Sequence, residues 1–202
     1  MLILGLTGSI GMGKSGAASW LRSKGIGVFD ADARVHELYA GKAVPLIEAA
    51  FPGTTVGGIV DRARLSAALG GSDAAFKRLE AIIHPLVRAE ETAFLNEEAA
   101  KGAAFAVLEI PLLFETGADK LVDVVIVVST DVETQRARVM ARPGMTAAKF
   151  ETILARQLSD AEKRRRADFV VDTSGPVTDT QRQIDQILEV LAGRTGTAIS
   201  RF

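Results

Sequence analysis

The chain has no cysteine, one tryptophan, one tyrosine and a single asparagine among its 202 residues. Without thiols it can form neither disulfides nor thiolate metal sites, which agrees with a reducing compartment; the cytoplasm is the expected location. Aromatic residues make up only 5%, too few for a base-stacking surface. Lys and Arg number 24 against 25 Asp and Glu, a formal net charge of −1, so no long-range field attracts nucleic acid or an anionic membrane. No apolar run approaches the roughly 18 residues of a membrane span. The apolar start runs on without a basic leader or cleavage site, so no signal peptide is expected. Neither nucleic acid nor membrane is an expected partner, and the expected assembly is a monomer or weak homo-oligomer. No repeat or low-complexity tract interrupts the chain, whose 48% hydrophobic and 24% charged residues mark a globular protein. At this length a single core can bury roughly 70% of the unfolded surface.

What is present is concentrated at the start. Leu2 to Thr7 is an apolar stretch that reads as a short buried strand, and Gly8-Ser-Ile-Gly-Met-Gly-Lys-Ser15 matches G-x-x-x-x-G-K-[ST]. A helix is expected from about Ala17 to Lys24. Glycines lacking Cβ let the backbone turn tightly and aim several N–H groups at one anion. The following helix adds its unpaired first-turn donors and the positive end of its dipole. Lys14 supplies a mobile full charge for the outer phosphates, and the Ser15 hydroxyl is a candidate Mg²⁺ ligand. This strand–loop–helix predicts a nucleotide triphosphate site.

The rest of the chain alternates strands with helices, the pattern of a doubly wound parallel sheet. Further strands are expected at Gly25–Phe29, Phe105–Ile110, Asp123–Val128 and Asp168–Asp172, five in all. Asp30 and Asp32 follow the second strand, at the carboxyl edge where ligands gather in such sheets. One of them can cap the next helix while the other does chemistry. Residues 41–103 are Ala-rich and helical, broken by Pro52-Gly53, Gly57-Gly58, Gly70-Gly71 and His84-Pro85, and are too long for a simple crossover. The proline after His84 predicts a helix boundary there, with the histidine packed at the joint. Trp20 is expected in the core. From Arg136 to Arg166 the chain carries nine Lys and Arg, with Pro143-Gly144 splitting the stretch into two helices. Arg164 to Arg166 read as a solvated face. Arg138 and Arg142, one turn apart before a glycine, suit a lid that closes guanidinium groups over a transferring phosphoryl. The helix from about Asp179 to Leu191 is structural, and Gly193 to Phe202 reads as a frayed tail. Asn96 lies in no guanine-reading Asn-Lys-x-Asp segment, which argues against a GTPase.

The succession Thr7-Gly-Ser-Ile-Gly-Met-Gly-Lys-Ser15, Asp30-Ala-Asp32, His84-Pro-Leu-Val-Arg88, Pro111-Leu-Leu-Phe-Glu115, Gln157 and Ala167-Asp-Phe-Val-Val-Asp172 resembles the dephospho-CoA kinases, from residue 1 to about 192. The resemblance implies a P-loop α/β kinase: a five-stranded core (1–32, 104–135 and 167–192), a helical acceptor subdomain (about 33–103) and a lid (about 136–166), with 193–202 as a tail. It implies transfer of the ATP γ-phosphoryl to the ribose 3′-hydroxyl of dephospho-CoA, with Mg²⁺. By position, Gly11, Met12, Gly13, Lys14, Ser15 and Gly16 would hold ATP, with Arg138 beside it and Asp172 by the adenine. Asp32 would be the base, while His84, Arg88 and the segment at Leu113 would line the acceptor site. Arg142 would be the lid arginine acting with Lys14. Three positions depart from the family pattern: Gly16 stands where Thr is common, Glu109 where Asp is usual, and Thr173 where Asn is usual. Kinases of other small acceptors and a nucleotide-binding regulator without transfer activity remain the alternatives.

Overall fold

A computed structural model describes all 202 residues, Met1–Phe202. The chain forms two compact units, one of Met1–Phe29 with Leu95–Phe202 and one of Asp30–Phe94.

In the first unit, β1 (Leu2–Thr7) is buried along its whole length and runs through the phosphate loop into α1 (Lys14–Ser23). The helix therefore starts three residues before the expected Ala17, at the motif lysine itself. A second strand, β2 (Gly27–Asp30), leads into α2 (Ala31–Leu38). Four further elements lie within the second unit: α3 (Val44–Ala50), the short strands β3 (Thr55–Val56) and β4 (Ile59–Val60), and α4 (Arg62–Leu69). Gly57 and Gly58 join the two strands at φ 60 and 80, the left-handed pair that a two-residue hairpin demands.

Next comes α5 (Asp73–Ala100), 28 residues with Pro85 inside it. The expected boundary at His84-Pro85 does not form. Proline removes one helical donor, but apolar residues continue at helical spacing on both sides of it. Leu79, Ile82, Ile83, Leu86 and Val87 all join the core of the second unit, with Ile47, Leu65 and Leu69. That shared face outweighs the local penalty of about 3 kcal/mol for an interior proline.

The remaining sheet strands are β5 (Phe105–Glu109), β6 (Val124–Ser129) and β7 (Phe169–Asp172), giving the order β2-β5-β1-β6-β7. Pairings of β1 with β5 and β6, and of β6 with β7, are parallel. The sheet thus has the expected class, with β1 at its middle and the wholly buried β6 beside it. Between β6 and β7 the basic stretch folds into three helices rather than two: α6 (Val132–Met140), α7 (Ala147–Leu154) and α8 (Asp160–Arg166). The second break falls before Ser159, whose Oγ accepts the Glu162 N–H and starts α8. Last, α9 (Val177–Leu191) lays Ile184, Ile187 and Leu191 on the core around Leu4, Leu6, Leu21 and Ile126. Trp20 packs against this core while its indole N–H donates to Asp185.

The tail is not frayed. Asp123 Oδ1 accepts the N–H groups of Thr197 and Ala198, both at 2.8 Å, and Arg201 donates to the carbonyl of Lys120 at 2.8 Å. Ala198 is fully buried.

Candidate active site

The loop between β1 and α1 is shaped by what surrounds it. A Cβ on Gly8 would meet Val128 Cγ2 at 2.5 Å, and one on Gly11 would meet Val139 Cγ2 at the same distance. At Gly13 it would meet Thr173 Oγ1 at 2.9 Å. Gly11 and Gly13 also take φ 81 and 88, where a side chain strains the backbone. These three glycines let β6, α6 and the residue after β7 close on the loop. Met12 N–H is used internally, donating to Ser9 O. By contrast the N–H groups of Gly11, Gly13, Lys14 and Ser15 donate to no protein acceptor. Four donors at one loop and the start of α1, whose first turn carries no acidic residue, form an anion cradle.

Lys14 Nζ lies 2.7 Å from Glu109 Oε1, and Arg22 Nη2 lies 3.3 Å from Glu109 Oε2. Glu109 is 2% exposed, so the acid at the end of β5 is a buried counter-ion shared by two cations. It is a site residue that sequence reasoning noted only as a departure from the family pattern. Its position opposite Leu6, in the β1–β5 register, is the signal that would have paired it with the loop. Ser15 is exposed and its hydroxyl has no partner, leaving it available to a cation. Gly16 is also exposed, and nothing lies within 4 Å of a Cβ built there.

Arg138 and Arg142 part company. Arg138 donates to Thr173 Oγ1 at 3.0 Å and to Thr173 O at 2.6 Å, and Thr173 Oγ1 donates to Met12 O at 2.9 Å. Thr173 is thus a buried link between α6 and the loop. Arg142 is exposed beyond the end of α6, and its side chain makes no hydrogen bond or ion pair. Asp172 is exposed at the end of β7; its carboxylate accepts the Ser174 N–H at 2.8 Å, which holds its carboxyl below the usual range.

Sequence reasoning also passed over Lys163, taken as one charge in a basic run. It is fully buried, with Nζ 3.0 Å from both Pro111 O and Glu115 Oε1. Pro111 O also accepts from Thr7 Oγ1 at 3.1 Å, so α8, the segment after β5 and the end of β1 meet at one carbonyl. Arg165 and Arg166 are exposed and pair with Glu162, the solvated face expected for them.

In the second unit the two aspartates differ in their partners. Asp30 Oδ1 accepts the Ala33 N–H at 3.0 Å and caps α2. Asp32, in the first turn, is exposed with a carboxylate free of hydrogen bonds and ion pairs. His84 is exposed on α5 and not packed at a joint; Arg88, four residues on, shares its face and lies 3.4 Å from Glu91. Leu113, in the first unit, is fully buried, and its side chain would touch a Cβ on Gly5 at 3.1 Å.

No cluster of three His, Asp or Glu side chains is arranged to hold a metal. One hydroxyl at the anion cradle suits Mg²⁺ carried in on phosphate oxygens, since that ion keeps most of its waters and needs few protein ligands.

Comparison with known proteins converges on one family. The profile described as dephospho-CoA kinase matches residues 2–179. A dephospho-CoA kinase of Brucella melitensis is 56% identical over 198 residues, covering 98% of this chain and 99% of the relative. Among solved structures, one from Thermus thermophilus superposes with a TM-score of 0.82 at 35% identity, covering 95% of this chain and 98% of its own. The dephospho-CoA kinase from Campylobacter jejuni gives 0.70 at 26% identity, covering 94% and 96%.

Proposed function

The chain belongs to the dephospho-CoA kinase family, and from that premise we propose how its residues divide the work. The reaction is ATP-dependent phosphorylation of the ribose 3′-hydroxyl of dephospho-CoA, giving coenzyme A and ADP, the last step of coenzyme A biosynthesis. The observation that carries the division is the cradle of four unpaired amides beside Lys14. Gly11, Met12, Gly13, Lys14, Ser15 and Gly16 bind the triphosphate. Lys14 leaves Glu109 for the phosphates, and Arg22 remains to neutralise the buried acid. Ser15 ligates Mg²⁺, which when bound neutralises charge developing between the phosphates.

Asp32 is the base that orients and deprotonates the ribose hydroxyl; with Asp30 spent on the cap, it is the free carboxylate in the first turn after β2. His84 and Arg88, on one face of α5, belong to the acceptor subdomain and bind the anionic substrate. Arg142 closes from the lid onto the transferring phosphoryl, and Arg138 and Asp172 flank the nucleotide. No helix is long and apolar enough to cross a membrane, and we assign the enzyme to the cytoplasm.

ADP release by the purified protein with ATP, Mg²⁺ and dephospho-CoA, against a control without acceptor, tests the reading directly. Asp32→Asn should lower turnover about 10²-fold or more while ATP still binds. Near wild-type turnover in that variant would remove Asp32 from the chemistry.

A further inference from the structure

Two glutamines outside the phosphate-loop motif grip one residue of that loop from both sides. Gln135, 5% exposed on α6, donates from Nε2 to Ile10 O at 2.8 Å. Gln157, between α7 and α8, accepts the Ile10 N–H on Oε1 at 3.2 Å. The partners themselves fix which end of each amide faces the loop, because a carbonyl only accepts and an N–H only donates.

The bond from Gln135 has a consequence one atom further on. Ile10 O and the Gly11 N–H belong to the same trans peptide and point in opposite directions. Drawing Ile10 O toward α6 therefore turns the Gly11 N–H away from α6, and that N–H is one of the four unpaired cradle donors. Gly11 stands at φ 81, so little in its own backbone resists rotation of this peptide. Rotated, the peptide would present a carbonyl to the phosphates in place of a donor. The approach is close by construction: a Cβ on Gly11 would lie 2.5 Å from Val139 Cγ2 and 3.0 Å from Gln135 O. Gln157 is anchored in turn, because the next residue, Leu158, donates its N–H to Glu115 Oε1 at 2.7 Å, and Lys163 holds that same oxygen.

We infer that Gln135 and Gln157 are positioning residues that act through Ile10 to set the orientation of the Gly11 amide, and with it the loop's affinity for the nucleotide phosphates. The inference rests on the loop being the ATP site, as proposed above.

The test uses the full chain with Gln135→Met, Gln157→Met and Gln157→Glu, where Met keeps length and loses polarity while Glu keeps the acceptor. Amide exchange of Ile10 in the nucleotide-free protein should speed up about tenfold in Gln157→Met and return to within about twofold of wild type in Gln157→Glu. In steady-state kinetics both Met variants should raise the KM for ATP about tenfold, with the KM for dephospho-CoA within about twofold and kcat reduced less than the ATP term. Unfolding midpoints should stay close to wild type. Parallel rises in both KM values, or unchanged Ile10 exchange in Gln157→Met, would overturn the inference. Should a Met variant fail to fold, unrestored exchange in Gln157→Glu would overturn it alone. Wild-type protein that phosphorylates no dephospho-CoA would instead overturn the kinase reading, while the exchange data still judge the clamp.

Discussion

Lys163→Met is the sharpest test of how the first unit is held together. The ammonium is fully buried, shares Glu115 Oε1 with the Leu158 N–H, and donates to Pro111 O. Methionine matches its length and removes the charge. Three losses then coincide: the ion pair, one hydrogen bond on Pro111 O, and the counter-charge of a carboxylate that is itself mostly buried. Glu115 Oε2 is buried without a hydrogen-bond partner, so once the ammonium is gone the acid keeps only the neutral Leu158 N–H on its other oxygen. Removing one member of a buried pair costs about 3–5 kcal/mol, because the remaining charge stays desolvated. That is a large share of a typical stability of about 5–15 kcal/mol. For a chain of this length it corresponds to a fall in Tm of roughly 6–20 °C. Urea denaturation at neutral pH reads the same quantity, with the m-value expected to hold. The double variant Lys163→Met/Glu115→Gln should recover most of the loss, since it removes the orphaned charge and keeps an acceptor for Leu158. A single-variant cost below about 1 kcal/mol, or a double variant no better than the single, would refute the reasoning.

Glu109→Ala should destabilise the protein by about 2 kcal/mol in urea melts, below the usual range for a buried pair because the Arg22 side chain is 44% exposed and can rehydrate. Arg142→Ala should leave Tm unchanged, its side chain having no partner, and lower kcat about tenfold more than ATP affinity. Arg138→Ala should show the opposite kinetic signature, a rise in the KM for ATP, because it releases Thr173 from the loop carbonyl of Met12. Glu91 is buried, and burial pushes its carboxyl above the usual value, with Arg88 partly offsetting the rise. The unfolded chain therefore releases this proton first as pH climbs, so the group costs stability from about pH 4 upward, with the loss complete above the raised value. Glu91→Gln should flatten the pH dependence of urea stability in that window and gain most near neutrality.

The parts of this architecture that were readable in advance are those whose signal is local. The phosphate loop carries its chemistry in eight consecutive residues, and the β-branched run of β6 can be little other than a buried strand. Asp30 and Asp32 were open between cap and base until the Ala33 N–H took Asp30. What escaped depends on distance. Nothing beside Lys163 distinguishes it from Arg164, Arg165 and Arg166; only the fold puts its ammonium against Pro111 O. Glu109 became a counter-ion because the β1–β5 register sets it beside the loop. Pro85 misled because a proline is a local signal, whereas the α5 face that overrides it is spread along the helix and seats in a core made by α3 and α4.

The docked tail changes how this chain should be handled. Its last residues do a bracket's work at the rim of the sheet: Asp123 ties Thr197 and Ala198 to the start of β6, and its other oxygen takes the N–H of Ile3 at 2.9 Å. One carboxylate thus fastens the two extremities of the polypeptide together. Trimming after Leu191, as crystallisation practice would suggest for a ragged end, would strip two donors from Asp123 and uncover the lower edge of the central strands. Purification handles fused directly to either extremity would pull on the same fastening, so a spacer is the safer engineering choice.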